Sequence, residues 1–121
     1  MTLTKLDHVL LAMPPGPEAE AAAREFYSGL LELGEVAQPP ILAARGGAWF
    51  QGMDFQVHLG IEQEFRPAWK AHPAFRTNDL DGLARLLEAA GVVITWDVAI
   101  PGVRRFFSAD PFGNRLEFIA E

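Results

Sequence analysis

The sequence contains no cysteine among its 121 residues. Disulfide bonds, thiolate nucleophiles and thiolate metal ligands are therefore excluded. Positive charge is also scarce: 10 lysines and arginines stand against 16 aspartates and glutamates, and the formal net charge is −6. Nucleic acids and anionic membranes both need a basic binding surface, so neither is expected as the main partner. Arg104 and Arg105 form the one strong local basic pair.

Long apolar runs are missing as well. No stretch approaches the roughly 20 residues that a membrane-spanning helix needs. The stretch MTLTKLDHVLLAMPPG has no basic cluster before its short apolar part and no small-residue cleavage site, so we expect an unprocessed protein of the cytoplasm. Half of the residues are hydrophobic, which predicts a single folded domain over residues 1–121 with a proper core.

The most informative feature that is present is an internal repeat. In each half, an alternating strand-like stretch is followed by a helical stretch and then by three further strand-like stretches. The halves cover about residues 4–62 and 70–120, with EFRPAWK as the connection. In the first half the three later stretches are ILAARGG, which is weak, and the stronger AWFQG and FQVHLGIE. The second half has VVITW, VRRFFSA and NRLEFIA.

The two predicted helices have recognisable ends. PEAEAAAREFYSGLLELG has Pro17 at a position that favours a helix start and Gly34 as its stop. NDLDGLARLLEAAG has Asn78 or Asp79 as its cap and Gly91 as its stop. DPFGN, between the last two strands, has the residues of a tight turn.

Polar residues occur at corresponding places in the two halves. His8 lies in the opening stretch LDHVLLA, and His72 lies in the opening stretch KAHPAFR. The last stretch of the first half places Gln56 and His58 on one face of a strand, and RLEFIAE places Glu117 on the face opposite its apolar residues. A carboxylate in the middle of a strand needs a partner.

A salt bridge is the structural explanation for that carboxylate. Arg104 or Arg105 could supply the cation for Glu117 without any functional role.

The motifs LDHVLLA, REFYSGLLELG, KAHPAFRTNDLDGLARLLEAAGV and FFSADPFGNRLEFI together resemble the vicinal oxygen chelate superfamily. That superfamily contains the glyoxalase I, bleomycin-resistance and ring-cleaving dioxygenase proteins. The resemblance covers nearly the whole chain. It implies an α+β fold of paired βαβββ modules, in which two mixed sheets together enclose a cupped cavity.

The resemblance also implies a divalent metal in that cavity, held by the first and last strand of each module. The corresponding residues here are His8, His72 and Glu117, with a fourth ligand on FQVHLG. Matching RLEF to QVHL gives His58, whereas matching it to DFQV gives Gln56. Both point to the same face, so the choice stays open, although imidazole is the better ligand for most divalent transition metals. Neither position has the carboxylate of the glyoxalase I branch, so a true glyoxalase I is not expected.

Imidazoles and a carboxylate can hold Zn²⁺, Ni²⁺, Mn²⁺ or Fe²⁺ and leave coordination positions open. The resemblance therefore implies a metal-dependent lyase, isomerase or dioxygenase that acts on a small oxygen-bearing molecule, with Glu117 as the catalytic residue. Aromatic residues near the module ends would stack on the ligand, and an arginine would hold an acidic group. The candidate substrate-binding residues are Gln56, Trp49, Arg105 and Phe107.

Two other functions are compatible with the same motifs. The first is a metal-free small-molecule or drug-binding protein of the bleomycin-resistance type, for which the acidic composition would suit a cationic ligand. The second is a fosfomycin-inactivating transferase, which uses two histidines and one glutamate but also a cation-binding loop with no clear equivalent here. A homodimer is expected in each case, with modules paired within one chain or across two.

Overall fold

The computed structural model describes all residues from Met1 to Glu121. The chain forms two compact units, Met1–Arg66 and Pro67–Glu121, and the boundary lies within the predicted connection EFRPAWK. Each unit contains one four-stranded mixed sheet, so the α+β class and the paired βαβββ modules are confirmed. None of the helices combines the length and apolar character that crossing a bilayer requires.

The first unit has the strand order β1-β4-β3-β2, in which β1 runs parallel to β4 and the other neighbours are antiparallel. Its helix α1 continues as a π-helical segment. Its elements in chain order are β1 (His8–Met13), α1 (Pro17–Ala23), the π-helical segment (Arg24–Leu30), β2 (Gly34–Val36), α2 (Pro40–Ala43), β3 (Ala48–Gln51) and β4 (Gln56–Ile61).

The second unit repeats this topology with the order β5-β8-β7-β6, and β5 runs parallel to β8. Helix α3 packs against β8. The elements in chain order are β5 (Ala74–Thr77), α3 (Leu80–Ala89), β6 (Thr95–Asp97), β7 (Arg105–Ala109) and β8 (Arg115–Ala120).

The ends of α3 are those that the sequence predicts. Asp79 caps the helix, because its Oδ1 accepts a hydrogen bond of 2.9 Å from the backbone N–H of Gly82. Gly91 follows the helix with a φ of 82°, a conformation that favours glycine. At the start of α1, Pro17 occupies the first turn as predicted.

Each sheet has one face packed in an apolar core and another face that carries polar residues. In the second unit, Phe106, Leu116 and Phe118 are buried on the apolar face. Alternation along β8 then turns Glu117 to the opposite face, between Leu116 and Phe118 in sequence. This second face, called here the site face, is where the candidate site lies in each unit.

Three predicted elements differ from the structure. ILAARGG contains the single helical turn α2 rather than a strand, because Pro40 favours a helix start. The predicted helix from Pro17 to Gly34 is α-helical only through Ala23 and π-helical to Leu30, and Gly34 already begins β2. His72 precedes β5, which begins at Ala74, since Pro73 has no N–H for a strand ladder.

Candidate functional site

The strand registers of the two units define which residues correspond. His58 is the third residue of β4, and Glu117 is the third residue of β8. His58 lies opposite Trp49 on β3, and Glu117 lies opposite Phe107 on β7. The register therefore matches His58, rather than Gln56, with Glu117, and the choice of His58 as the fourth metal ligand stays a prediction.

The same registers relate the residues around this position. Leu10 lies opposite His58, and Ala74 lies opposite Glu117. Two residues before Leu10 is His8, and two residues before Ala74 is His72, so His8 corresponds to His72. Counting back two residues on the last strand of each unit, Gln56 corresponds to Arg115. Two residues before Trp49 is Gly47, and two residues before Phe107 is Arg105, so Gly47 corresponds to Arg105.

Glu117 is the centre of the site face in the second unit. Its side chain is only 7% exposed, and both of its oxygens have partners. Oε1 lies 2.8 Å from Nε2 of His72, and Oε2 accepts a hydrogen bond of 3.0 Å from Arg105. Burial alone would raise the pKa of Glu117, but the hydrogen bonds from His72 and Arg105 outweigh it, and the net pKa is lowered. Glu117 is therefore a buried anion.

Arg105 connects Glu117 to a second carboxylate. Its Nε donates to Oδ2 of Asp97 over 2.8 Å, while its terminal nitrogen reaches Glu117. Asp97 and Glu117 thus balance one guanidinium. The ion pair with Arg105 that the sequence offered as a structural explanation is present, whereas Arg104 pairs with Asp81 on the surface.

Hydrogen bonding defines the protonation of His72. Its Nδ1 lies 2.9 Å from the carbonyl oxygen of Lys70, which can only accept, so Nδ1 carries a proton. Its Nε2 faces the Glu117 carboxylate. Because an anionic carboxylate can only accept, this contact assigns a proton to Nε2 as well, so both ring nitrogens of His72 donate hydrogen bonds in this geometry.

The DPFGN turn holds the segment that carries His72. Asp110 accepts hydrogen bonds from the backbone N–H groups of Phe112 and Asn114. Asn114 is itself buried, and its Oδ1 accepts from the N–H of Ala68, while the N–H of Arg115 donates to the carbonyl of Ala68. The turn that the sequence DPFGN predicts is therefore also hydrogen-bonded to the chain segment before β5.

In the first unit, stacked rings surround the position that corresponds to Glu117. The His58 ring lies parallel to Trp49, with centroids 3.8 Å apart and planes 3° apart, and His8 stacks on it at 4.0 Å. Nδ1 of His8 lies 2.8 Å from a carboxylate oxygen of Asp7. His58 itself is 5% exposed.

A chain of amide groups fixes the tautomer of His58. Nε2 of Gln51 donates to the carbonyl oxygens of Gly52 and Phe55, so Oε1 of Gln51 faces Gln56 as an acceptor. Nε2 of Gln56 donates to it over 2.7 Å, and Oε1 of Gln56 then lies 2.8 Å from Nε2 of His58. Nε2 of His58 must therefore carry the proton.

The other ring nitrogen of His58, Nδ1, makes no hydrogen bond in the structure. Burial lowers the pKa of His58 below its ordinary value of 6.5, and the charge of nearby His8 lowers it further. His58 is therefore a neutral imidazole at neutral pH, with a lone pair at Nδ1. A neutral imidazole with a fixed tautomer is the form in which histidine binds metals.

The predicted metal ligands thus form two pairs, His8 with His58 in the first unit and His72 with Glu117 in the second. No three or more His, Asp or Glu side chains in the chain are grouped so that they could hold a metal ion. The chemistry of the donors nevertheless fits a divalent transition metal. His58 is neutral, Glu117 is anionic, and His72 would release its proton, as metal binding to histidine requires.

The predicted substrate-binding residues have structural partners. Trp49 stacks on His58, Gln56 orients it, and Arg105 donates to two carboxylates. Phe107 lies edge-on to His72, with ring centroids 5.4 Å apart.

Sequence reasoning missed two further residues of these networks. Asp97 balances Arg105, and Gln51 anchors the amide chain. The signal for both is the cross-strand register, which pairs Asp97 with Arg105 and Gln51 with Gln56.

Solved structures resemble this chain over its whole length. A glyoxalase family protein from Bacillus anthracis is 40% identical, with a TM-score of 0.94 over 100% of this chain and 98% of that one. A member of the glyoxalase/bleomycin resistance protein/dioxygenase superfamily from Sphaerobacter thermophilus is 20% identical, with a TM-score of 0.79 over 100% of both chains. A lactoylglutathione lyase from Agrobacterium tumefaciens is 16% identical, with a TM-score of 0.77 over 99% of this chain and 96% of that one.

The two more distant similarities concern the fold alone, but the Bacillus anthracis protein is similar in sequence as well as in fold. The chain therefore belongs to the glyoxalase family, within the glyoxalase/bleomycin resistance/dioxygenase or vicinal oxygen chelate superfamily. A scan of protein-family models and a search of curated proteins both give no match.

Proposed function

We propose that the chain is a divalent-metal-dependent enzyme of this family, a lyase, isomerase or dioxygenase that acts on a small oxygen-bearing molecule. The observation that carries the proposal is the buried pair of Glu117 and His72, with Oε1 and Nε2 2.8 Å apart. Keeping a carboxylate anionic while it is buried is costly. A site that binds a cation, or that stabilises charge in a reaction, is a reason to maintain it.

The donors that we assign to the metal are His8, His58, His72 and Glu117, and the candidate metals are Zn²⁺, Ni²⁺, Mn²⁺ and Fe²⁺. When bound, such a metal supplies a Lewis acid that stabilises negative charge on a substrate oxygen. The neutral state of His58 and the anionic state of Glu117 both support this assignment.

Glu117 is the catalytic residue of this proposal. Arg105 holds its Oε2, and Asp97 holds Arg105, so the plane of the carboxylate is fixed. Its Oε1 faces the His72 N–H, which places one proton at this oxygen. Because its pKa is lowered, Glu117 acts as a fixed negative charge that would help to hold the metal cation.

Metal content tests this proposal directly. Untagged protein purified without chelators, and protein reconstituted with each of the four metals, would be analysed by plasma mass spectrometry. We expect close to one metal ion per site in the wild type and a loss of most of it in His72→Ala and in Glu117→Ala. Asp81→Ala, which removes a surface carboxylate outside the site face, should keep the metal. A wild type that binds none of the four metals would overturn the proposal.

A second function is favoured by one observation. Both oxygens of Glu117 already have cationic partners, His72 and Arg105, so the carboxylate is balanced without a metal. This arrangement supports a metal-free small-molecule or drug-binding protein of the bleomycin-resistance type. A thermal-shift screen separates the two functions, because stabilisation by metals supports the enzyme and stabilisation by drugs alone supports the binding protein.

A further inference from the structure

The arginines on the site face of the second unit differ in how their charge is balanced. Arg105 donates to Asp97 and to Glu117 and is neutralised by these two carboxylates. Its side chain is only 18% exposed. Arg105 is therefore part of the support of Glu117, and little of its charge remains to hold an anionic ligand.

Arg115 lies on the same face of β8 as Glu117, two residues earlier. Its guanidinium carbon is 4.1 Å from the centroid of the Phe107 ring. No carboxylate lies within ion-pair distance of it, and its N–H groups have no acceptor in the protein. Since no buried side-chain nitrogen or oxygen lacks a hydrogen-bond partner, these N–H groups must be open to solvent. Arg115 is a positioned cation without a counter-charge.

The repeat shows that the fold does not require this cation. The residue that corresponds to Arg115 in the first unit is Gln56, whose amide is used in both directions, toward Gln51 and toward His58. The ring that corresponds to Phe107 is Trp49, and it stacks on His58 rather than on an arginine. The stacked, unpaired guanidinium is thus particular to the second unit.

The guanidinium of Arg115 lies over the face of the Phe107 ring, so the ring does not compete for its N–H groups. These N–H groups form a fork that matches the two oxygens of a carboxylate. Stacking also restricts the side chain before any ligand binds, which lowers the entropic cost of binding. Residues two apart on a strand are about 7 Å apart, so an anion held by Arg115 would lie a few bonds from a group that reaches Glu117.

We propose that Arg115, stacked on Phe107, is a carboxylate-binding subsite, and that the substrate is a small carboxylic acid with an oxygen function near its carboxylate. This inference rests on the proposed function in one respect, because it takes the reacting oxygens to lie at Glu117. It reassigns the anion-binding role that the sequence suggested for Arg105.

The test is a titration of the metal-free protein, followed by the NMR signals of the Arg115 side-chain N–H and the Phe107 ring. The probes are pyruvate and glycolate, with uncharged hydroxyacetone and inorganic phosphate as comparisons. We expect both carboxylates to shift these signals in a saturable way and hydroxyacetone to leave them unchanged. Arg115→Gln should weaken carboxylate binding about tenfold or more, and Arg115→Lys should weaken it less, because it keeps the charge but not the fork.

The control is Arg85→Gln, which removes an exposed cation on α3 and should leave binding unchanged. The inference would be overturned if Arg115→Gln bound the carboxylates with the affinity of the wild type, or if the wild type did not bind them. A preference for phosphate over both carboxylates would overturn the assigned ligand class. Because the titration needs no metal, carboxylate binding by a chain that takes up no metal would refute the proposed enzyme and leave the subsite standing.

Discussion

At the third residue of its last strand the first unit has His58, and the second unit has Glu117. Around His58 lie the rings of Trp49 and His8 and the amide of Gln56. Around Glu117 lie Arg105, His72 and, beyond Arg105, Asp97. The same strand positions thus carry a neutral imidazole in one unit and a charged network in the other.

The difference shows that one fold can carry two chemically different site faces. The neutral unit fixes a lone pair at Nδ1 of His58, and the charged unit fixes an anion at Glu117. His58 is oriented by Gln56 on its own strand and stacks on Trp49 of β3. Glu117 is held by Arg105 on β7 and by His72 just before β5. The character of each site face therefore depends on the few residues at which the units differ.

A substitution at Gly47 tests this comparison and is expected to change the free energy of unfolding more than the others. Gly47 corresponds to Arg105, has a φ of 88°, and a Cβ there would overlap the carbonyl oxygen of Leu59. We expect Gly47→Ala to lower the free energy of unfolding by about 3 kcal/mol, because backbone strain and overpacking add. Urea unfolding measures this change.

The matched control for that substitution is Gly102→Ala. Gly102 has a φ of 79°, but a Cβ there would meet nothing within 4 Å. The expected loss is about 1 kcal/mol, from backbone conformation alone. If the two variants lost the same stability, the first unit would have room for a side chain where the second has Arg105, and this part of the comparison would be wrong.

Glu117→Gln tests the charged network. The substitution keeps the shape but removes the charge that faces Arg105 and His72, so we expect a loss of about 2 kcal/mol in urea unfolding. Asp81→Asn breaks the ion pair between Asp81 and Arg104. Both side chains are more than half exposed, so this substitution should change stability little. Equal effects of the two variants would contradict the account of Glu117 as a buried, doubly paired anion.

The pH dependence of the same variant follows from the lowered pKa of Glu117. A carboxylate whose pKa is lowered on folding stabilises the folded state above its ordinary pKa of 4.5, and this contribution is lost as the pH falls through the folded-state pKa. The stability difference between wild type and Glu117→Gln should therefore shrink as the pH falls below about 5. A difference that grew on acidification would have the wrong sign.

Gln56→Leu tests the neutral unit and has the smallest expected effect. Without the Gln56 oxygen, Nε2–H of His58 loses its acceptor, and the expected cost is about 1 kcal/mol. The tautomer of His58 should then become mixed, which ¹⁵N chemical shifts detect. Gln38→Leu, which removes a hydrogen bond to the carbonyl of Gly46 elsewhere in the unit, should leave the tautomer unchanged. A His58 that kept its single tautomer in Gln56→Leu would refute the amide chain.

The fold could be predicted from the sequence to a large extent. The repeat of strand, helix and three strands, the Asp79 cap and the DPFGN turn all depend on local patterns, which one sequence displays. The strand prediction at ILAARGG was wrong because a short apolar stretch does not distinguish a strand from a helical turn. Pro40 favours the start of the helical turn that forms there.

The candidate site could be predicted only in part. His8, His72 and Glu117 follow from their places in the repeat, but matching His58 rather than Gln56 with Glu117 needed the register, since both point to the same face. Asp97 was missed because its partner Arg105 is on another strand, and only the pairing of β6 with β7 brings them together. Long-range pairing is the information that local patterns lack.

The most direct test of the central claim is the protonation of the two histidines in one NMR sample. Long-range ¹H–¹⁵N correlation spectra at about pH 7 distinguish the two neutral tautomers from the imidazolium. The account predicts that His58 is neutral with its proton on Nε2, and that His72 is protonated on both nitrogens. A charged His58, or a neutral His72 beside Glu117, would contradict the division into a neutral and a charged unit.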